Sequence, residues 1–420
     1  MFQKIQVRNR WKSLFKPWEE ADPWLFAACI GLTFFAGIMI RSVELNQGLI
    51  DWWRHWVTGG VGLLLAIIIS RCRYEILIEW KWPIYIFINL SLIAVRFIGT
   101  TGLGAQRWIN IGGFYLQPSE FAKIGMIVTL AALLQATTTP TVVDLLKMLA
   151  IVAVPWGLVF AEPNLGTSLV FGAIAIGMFY WGNVNPGWLI LLFSPLISVL
   201  LNTISMPIWI GWVVVAGIIA WRTLPWPWLG AFGTVLVNVV SGHVGQVFWG
   251  LLKDYQKMRL TGFLNPEKDP LGSGYHLIQS RIAIGAGELK GRGLFHGTQT
   301  QLNFIPEQHT DFIFSAIGEE LGFIGCICVL FVFWIICLRL VIIAQTANDN
   351  FGSLLAIGVL SMLIFQVFVN IGMNIGLAPV TGIPLPFLSY GNASLLSNFL
   401  GLGLVESVAN QRQRKKRWNR

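Results

Sequence analysis

Charge is scarce in this chain. Asp, Glu, Lys and Arg make up only 12% of its 420 residues, about half the share of a soluble domain, which excludes an ordinary water-soluble fold. Cysteine is scarce too. Cys29, Cys72, Cys326, Cys328 and Cys337 all lie within or at the ends of apolar runs, which excludes a disulfide framework. Cys326 and Cys328 are two apart and leave a helix on different faces, so they do not make a metal pair. No stretch free of apolar runs is long enough to fold alone, which excludes a fused soluble catalytic domain. No internal repeat of about 20 to 50 residues is visible in the sequence. A cleavable signal peptide is also not expected, because the first apolar run, 24–40, is too long and no small-residue cleavage site follows it.

What is present is apolar sequence in blocks. Hydrophobic residues account for 55% of the chain, in runs at 24–40, 53–70, 82–99, 118–136, 146–161, 167–182, 187–202, 207–221, 228–250, 312–343, 353–373 and 392–408. Runs of about 17 to 25 residues cross a bilayer core as helices. The expectation is an all-α polytopic integral membrane protein with twelve candidate crossings. The pair 187–202 and 207–221, joined by "TISM", reads as two spans or as one re-entrant hairpin. Tryptophans near run ends, such as Trp52, Trp80, Trp108, Trp188 and Trp226, match an interfacial aromatic belt.

The net charge of +9 is concentrated in two tails: Lys4, Arg8, Arg10, Lys12 and Lys16 at the start, Arg412, Arg414, Lys415, Lys416, Arg417 and Arg420 at the end. By the positive-inside rule both tails are cytoplasmic and the number of crossings is even. Topology and anionic lipid account for this charge, and no nucleic-acid role is expected. The chain divides into a basic tail (1–23), one membrane domain (24–410) and a second basic tail (411–420). Counting from an inside start places four unusual segments outside: "TGLGAQRWINIGGFYLQPSE" (101–120), "EPNLGTS" (162–168), a long loop (about 253–310) and "LAPVTGIPLPFLSYGNAS" (377–394). A loop of that length is functional or disordered, and its composition is not that of disorder. Within it, Leu277, Ile278, Ile282 and Ile284 have near-helical spacing, suggesting an amphipathic helix at the membrane surface.

Several residues in and beside these segments can do chemistry. Asp269 sits between Lys268 and Pro270. The proline restricts the chain to extended or turn geometry, which aims a carboxylate able to accept a proton; a plain Asp-Pro turn fits equally. Glu120 and Lys123 are three apart at the start of an apolar run, placed to pair inside a bundle. Asp311, Ser315 and Glu319 form a stripe that either pairs structurally or lines a polar cavity. Arg107, Arg281, Lys290 and Arg292 are interfacial anchors or partners for a phosphate group. "GAGELKGRGLFHG" (285–297) lacks the Lys-Ser/Thr of a nucleotide-binding loop and falls outside the cytoplasm, so its glycines read as tight turns. His276, His296 and His309, with Glu307 and Asp311, show no metal-ligand spacing, and structural hydrogen bonding is the default for them.

Taken together, "GAQRWINIGGFYLQPSEFAK", "EPNLGTSLVF", "NPEKDPLGSGYHLIQSRIAIGAGELKGRGLFHGTQTQLNFIPEQHTDFIFSAIGEELGFIG" and "PVTGIPLPFLSYG" resemble, in order and spacing, the SEDS family of shape, elongation, division and sporulation proteins, over nearly the whole chain. "GYHLIQS" and "GTQTQLNFIPEQHTDF" are more similar to its RodA branch than to its FtsW branch. The resemblance implies about ten core transmembrane helices, with 187–221 as an inserted hairpin. It implies a peptidoglycan glycosyltransferase of the bacterial inner membrane, with its active site facing the periplasm, that polymerises lipid II for cell elongation. Asp269 is then the catalytic carboxylate, and Arg107, Glu120, Lys123, Gln279, Arg281, His309 and Asp311 are the substrate-binding set. The implied partner is a class B penicillin-binding protein, and a divalent cation, magnesium or manganese, is the one cofactor left open. Asn164 and Asn392 stand where the family commonly has Asp and Gly, which argues against catalytic roles for them. The rival readings are a lipid II flippase, whose charges would be expected on broken helices near the midplane, a non-catalytic scaffold, and an FtsW-like division role.

Overall fold

The computed structural model describes residues 22–45, 51–102, 105–112, 114–137, 140–162, 164–251, 266, 274–302, 304–305 and 307–418. Helices follow the apolar blocks: α1 (Pro23–Glu44), α2 (Asp51–Arg71), short α3 (Ile76–Glu79), α4 (Lys81–Ile98), α5 (Pro118–Leu134), α6 (Val142–Ala161), α7 (Leu165–Trp181), α8 (Pro186–Ile204), α9 (Met206–Thr223), α10 (Pro227–Leu251), α11 (Tyr275–Ala286), short α12 (Thr298–Gln301), α13 (Ile313–Gln345), α14 (Asn350–Ile375) and α15 (Asn392–Trp418). Twelve of them coincide with the twelve apolar runs, and eight are long and apolar enough to cross a membrane. The 187–221 segment forms two helices, α8 and α9, joined at Ser205.

The purely helical expectation needs one amendment. Between α4 and α5 lies a small antiparallel sheet, β1 (Thr100–Gly102), β2 (Ala105–Ile111) and β3 (Phe114–Leu116), in that order. Glycine-rich sequence with alternating Trp108 and Asn110 favours a hairpin over a helix here, and Gly112 turns β2 into β3 at φ +60°.

Polar residues at the block edges set the helix starts. Asp22 accepts from the Leu25 amide at 3.2 Å, with Pro23 in the first turn; Asn185 and Asp349 cap α8 and α14 in the same way. Gly376 at φ +85° ends α14.

Two packing features position the site. The main bundle is built on the α2–α15, α7–α14, α4–α5 and α1–α13 pairs, whereas α8, α9 and α10 pack on one another and meet the bundle through α7 and α8. That satellite is held by a buried polar seam: Ser194 donates to the Asn238 side chain and Ser198 to its carbonyl, both at 2.6 Å, and Trp209 donates to Ser198 at 2.7 Å. At the end of the bundle nearest the two tails, Arg339 pairs with Asp22, whose own amide donates to Glu406 at 3.0 Å. These contacts staple α1, α13 and α15 together.

The run 312–343 is a broken helix. Gly322 has φ +64°, ψ −163° inside α13, and the backbone groups freed by the break are satisfied by the preceding loop. Phe323 and Ile324 amides donate to the Glu288 and Leu289 carbonyls at 2.9 and 3.2 Å; Arg292 and Gly293 amides donate to the Glu319 and Glu320 carbonyls, both at 3.0 Å. A Cβ at Gly287 would stand 1.9 Å from the Gly318 carbonyl oxygen, and one at Gly291 2.1 Å from that of Glu320. The glycines of 285–297 therefore admit close backbone approach to the broken helix.

Candidate functional site

Four segments gather at the bundle end away from the tails: the sheet, the α6–α7 turn, α11 with the loop to α13, and the 377–391 loop. Asp269 itself lies outside the described residues, as do all of 267–273. Tyr275, the first residue of α11, is only six positions further on.

Beneath the loops, Pro118 opens α5 and places Glu120 in the first turn. Lys123 donates to Glu120 at 2.8 Å, and the two side chains are 1% and 3% exposed. Ser397 of α15 adds a contact to Glu120 at 3.4 Å. The pairing expected from the three-residue spacing is present, fully inside the protein.

Arg107 lies on β2 and donates through Nε to the Glu162 carbonyl oxygen at 3.1 Å. The Glu162 carboxyl is pushed up to about 7 by burial, an effect the nearby Arg107 charge partly opposes. Asn164 caps α7, its side chain accepting from the Thr167 amide at 3.4 Å. Asn392 accepts from Thr58 at 3.1 Å. Both asparagines thus have structural employment.

Gln279 and Arg281 sit on α11. This helix does not lie free at a surface: Leu277, Ser280 and Ala283 are buried against α13 and α14, while Ile282 is 46% exposed. The Arg281 side chain runs beside the Gly376 backbone, its Cδ 3.3 Å from where a Cβ would be. His309 and Asp311 follow on the loop before α13. The His309 carbonyl accepts from the Tyr390 amide at 2.9 Å, and burial lowers its imidazole below the usual range. Burial pushes the Asp311 carboxyl up to about 7, with the Glu307 charge adding to the rise. Asp311 faces Gly382, and Gly166 of α7 abuts the Thr381 carbonyl, so the Glu162 turn, the 381–391 loop and Asp311 form one continuous surface.

The stripe Asp311, Ser315, Glu319 divides by role. Glu319 is fully buried and accepts from the Gln299 and Thr300 amides at 2.8 and 2.9 Å. It caps α12, which is structural pairing.

Sequence reasoning missed several participants. The Tyr390 hydroxyl hydrogen-bonds with Asp51 and Arg54 at the start of α2, and burial with the Asp51 charge pushes it up to about 12. His276, already singled out in the sequence, stacks its ring on Phe312 at 6.0 Å. Asn370 and Asn374 of α14 donate to the Asp311 carbonyl at 3.0 and 3.1 Å. A usable signal existed for the asparagines: two amides at helical spacing within an apolar block are costly without partners. Among the described residues no three His, Cys, Asp or Glu side chains converge on a metal-sized point.

The protein-family model described as "Cell cycle protein", covering FtsW, RodA and SpoVE, matches residues 23–214 and 209–414, two overlapping segments that meet within α9. The chain is 33% identical to peptidoglycan glycosyltransferase MrdB of Escherichia coli K12 over 93% of its own length and 94% of that protein's. This chain belongs to the FtsW, RodA and SpoVE family. Peptidoglycan glycosyltransferase RodA of Treponema pallidum is 35% identical, covering 93% of this chain and 98% of the relative; proteins named FtsW also match, at 32% for one from Trichlorobacter lovleyi. A chain from a solved peptidoglycan synthase complex, described as coordinating polymerization and crosslinking, superposes with TM-score 0.71 at 27% identity, covering 93% of this chain and 98% of that one. The Thermus thermophilus rod shape determining protein RodA has the same fold, with TM-score 0.60 at 24% identity over 93% of this chain and 97% of that one.

Proposed function

We propose that this family member is a peptidoglycan glycosyltransferase that polymerises lipid II into glycan strands for cell elongation. The names of its relatives support the reaction class. The observation that carries the reading to this chain is convergence. Segments bearing Arg107, Arg281, His309 and Asp311 meet at one end of an apolar bundle, over a buried Glu120–Lys123 pair, and Asp269 precedes α11 by six positions in the sequence.

Lipid II joins a polyprenyl tail, a pyrophosphate and a disaccharide-peptide, and its polymerase needs an apolar surface, cations at headgroup depth and a carboxylate beyond them. In this reading Asp269 accepts the proton of the GlcNAc 4-hydroxyl of one substrate. That oxygen bonds to the MurNAc anomeric carbon of the other, and the bond from this carbon to undecaprenyl pyrophosphate breaks. Arg107 and Arg281 offset the charge growing on the leaving pyrophosphate. Among the described residues no three His, Cys, Asp or Glu side chains converge on a metal site; a divalent cation held at Asp269 would supply additional counter-charge for the pyrophosphate. The loop end faces the periplasm and both tails face the cytoplasm of an inner-membrane protein, in keeping with the basic tails. A class B penicillin-binding protein is the proposed partner, in line with the synthase complex whose chain superposes on this one.

Purified protein supplied with lipid II should make glycan strands, and the Asp269→Ala variant should make none. Equal polymer from both would overturn the assignment of Asp269, and no polymer from the wild type would leave the scaffold reading.

A further inference from the structure

One turn of α14 holds three parts of the site at once. The Asn370 carboxamide nitrogen donates to the Asp311 carbonyl at 3.0 Å and to the Ile383 carbonyl at 2.8 Å. Both of its N–H bonds are thereby used, and they bridge the 307–312 loop to the 381–391 loop. Asn374, one turn further on, donates to the same Asp311 carbonyl at 3.1 Å and to the Asn370 carbonyl at 2.8 Å. Its own carbonyl accepts from Ser280 of α11 at 2.8 Å. Asn370, Asn374 and Ser280 are all fully buried.

These bonds run to main-chain carbonyls of segments with little regular structure of their own. Asp311 precedes α13, and the 381–391 loop carries Gly382 at φ +69° and Phe387 at φ +63°. Such backbone keeps one shape only when its surroundings over-determine it. An amide inside an apolar helix is otherwise a liability, and an apolar residue of similar size would pack there at little cost if nothing depended on it.

We propose that Asn370, seconded by Asn374, is a positioning residue that fixes Asp311 and the 381–391 loop relative to α11. This rests on the proposed glycosyltransferase reading, in which Asp311 borders the substrate. Asn370 touches no substrate; it acts through the Asp311 backbone.

A double-mutant cycle on the purified full chain tests this, with lipid II polymerisation as the readout and kcat and KM measured separately. Asn370→Leu is expected to lower kcat about 10- to 100-fold, the scale of a misplacement near 1 Å, with a smaller change in KM. Asp311→Asn lowers kcat as well, and the double variant should be no worse than Asp311→Asn alone, because both act through one group. Fully additive losses, or a single Asn370→Leu variant whose kcat stays within about two-fold of wild type, would overturn the inference. If Asn370→Leu does not fold, the near-isosteric Asn370→Asp, which replaces donor N–H groups with oxygen, carries the same expectation. Should neither fold, the role is structural and the inference falls. Wild-type protein that makes no polymer speaks against the glycosyltransferase reading instead, so the two failures are distinct.

Discussion

Removing Lys123 while leaving Glu120 should be far more damaging than removing both. The ion pair is separated by 2.8 Å with both side chains almost wholly buried. At that distance the Coulombic attraction is about 6 kcal/mol for an effective dielectric near 20. Taking each charge out of water costs several kcal/mol, so attraction and desolvation nearly cancel and the intact pair adds little net stability. Lys123→Met strands a carboxylate among buried residues and is expected to cost about 3–5 kcal/mol. The double variant Glu120→Gln/Lys123→Met, which has no charge left to strand, should recover most of that loss. Thermal unfolding of detergent-solubilised protein, followed by tryptophan fluorescence, ranks the three proteins. A double variant as unstable as Lys123→Met would refute the reasoning, as would a Lys123→Met protein as stable as wild type. If the double variant folds but makes no polymer, the pair is kept for the site rather than for the fold.

Other expectations follow from the same geometry. Asp311 titrates near 7 in the folded protein instead of near its usual value of 3.8, so the folded state binds the extra proton between those values. Stability from this group is fully present below about 4 and is lost as pH rises through about 7; Asp311→Asn should flatten that part of the pH–stability profile, and an unchanged profile would contradict the burial. Gly291→Ala places a methyl 2.1 Å from the Glu320 carbonyl at φ +80°, and a lowered unfolding temperature from a loss of about 2–4 kcal/mol is expected. Glu319→Leu removes the acceptor for the Gln299 and Thr300 amides and should expose the 295–301 segment to proteolysis before the bundle opens; protection equal to wild type would count against the capping role.

Much of the architecture was legible because a bilayer forces it. Each apolar block had to become a helix that satisfies its own backbone, and Pro23, Pro118 and Pro186 mark three of the starts. The break at Gly322 was not legible, since its partners, Glu288 to Gly293, lie about thirty residues earlier and are supplied by the loop fold. The sheet around Arg107 was hidden for a related reason: short strands gain their stability from pairing, which hydropathy does not report. Within the site, Glu120 and Lys123 declared themselves by spacing, whereas Asp51 and Tyr390 meet across 339 positions and gave no local sign. The amphipathic pattern at 277–284 identified the helix but not its resting place. Ser280 and Ala283 let it sit flush on α13 and α14, where larger residues would have held it off.

To act as the proposed base, residue 269 must be on the side of the membrane where polyprenyl-linked disaccharides are exposed. Asp269→Cys, in a background without the five native cysteines, can be labelled in intact spheroplasts by a membrane-impermeant thiol reagent. Labelling from outside is the predicted result. Labelling only after the cytoplasmic face is opened would contradict the account.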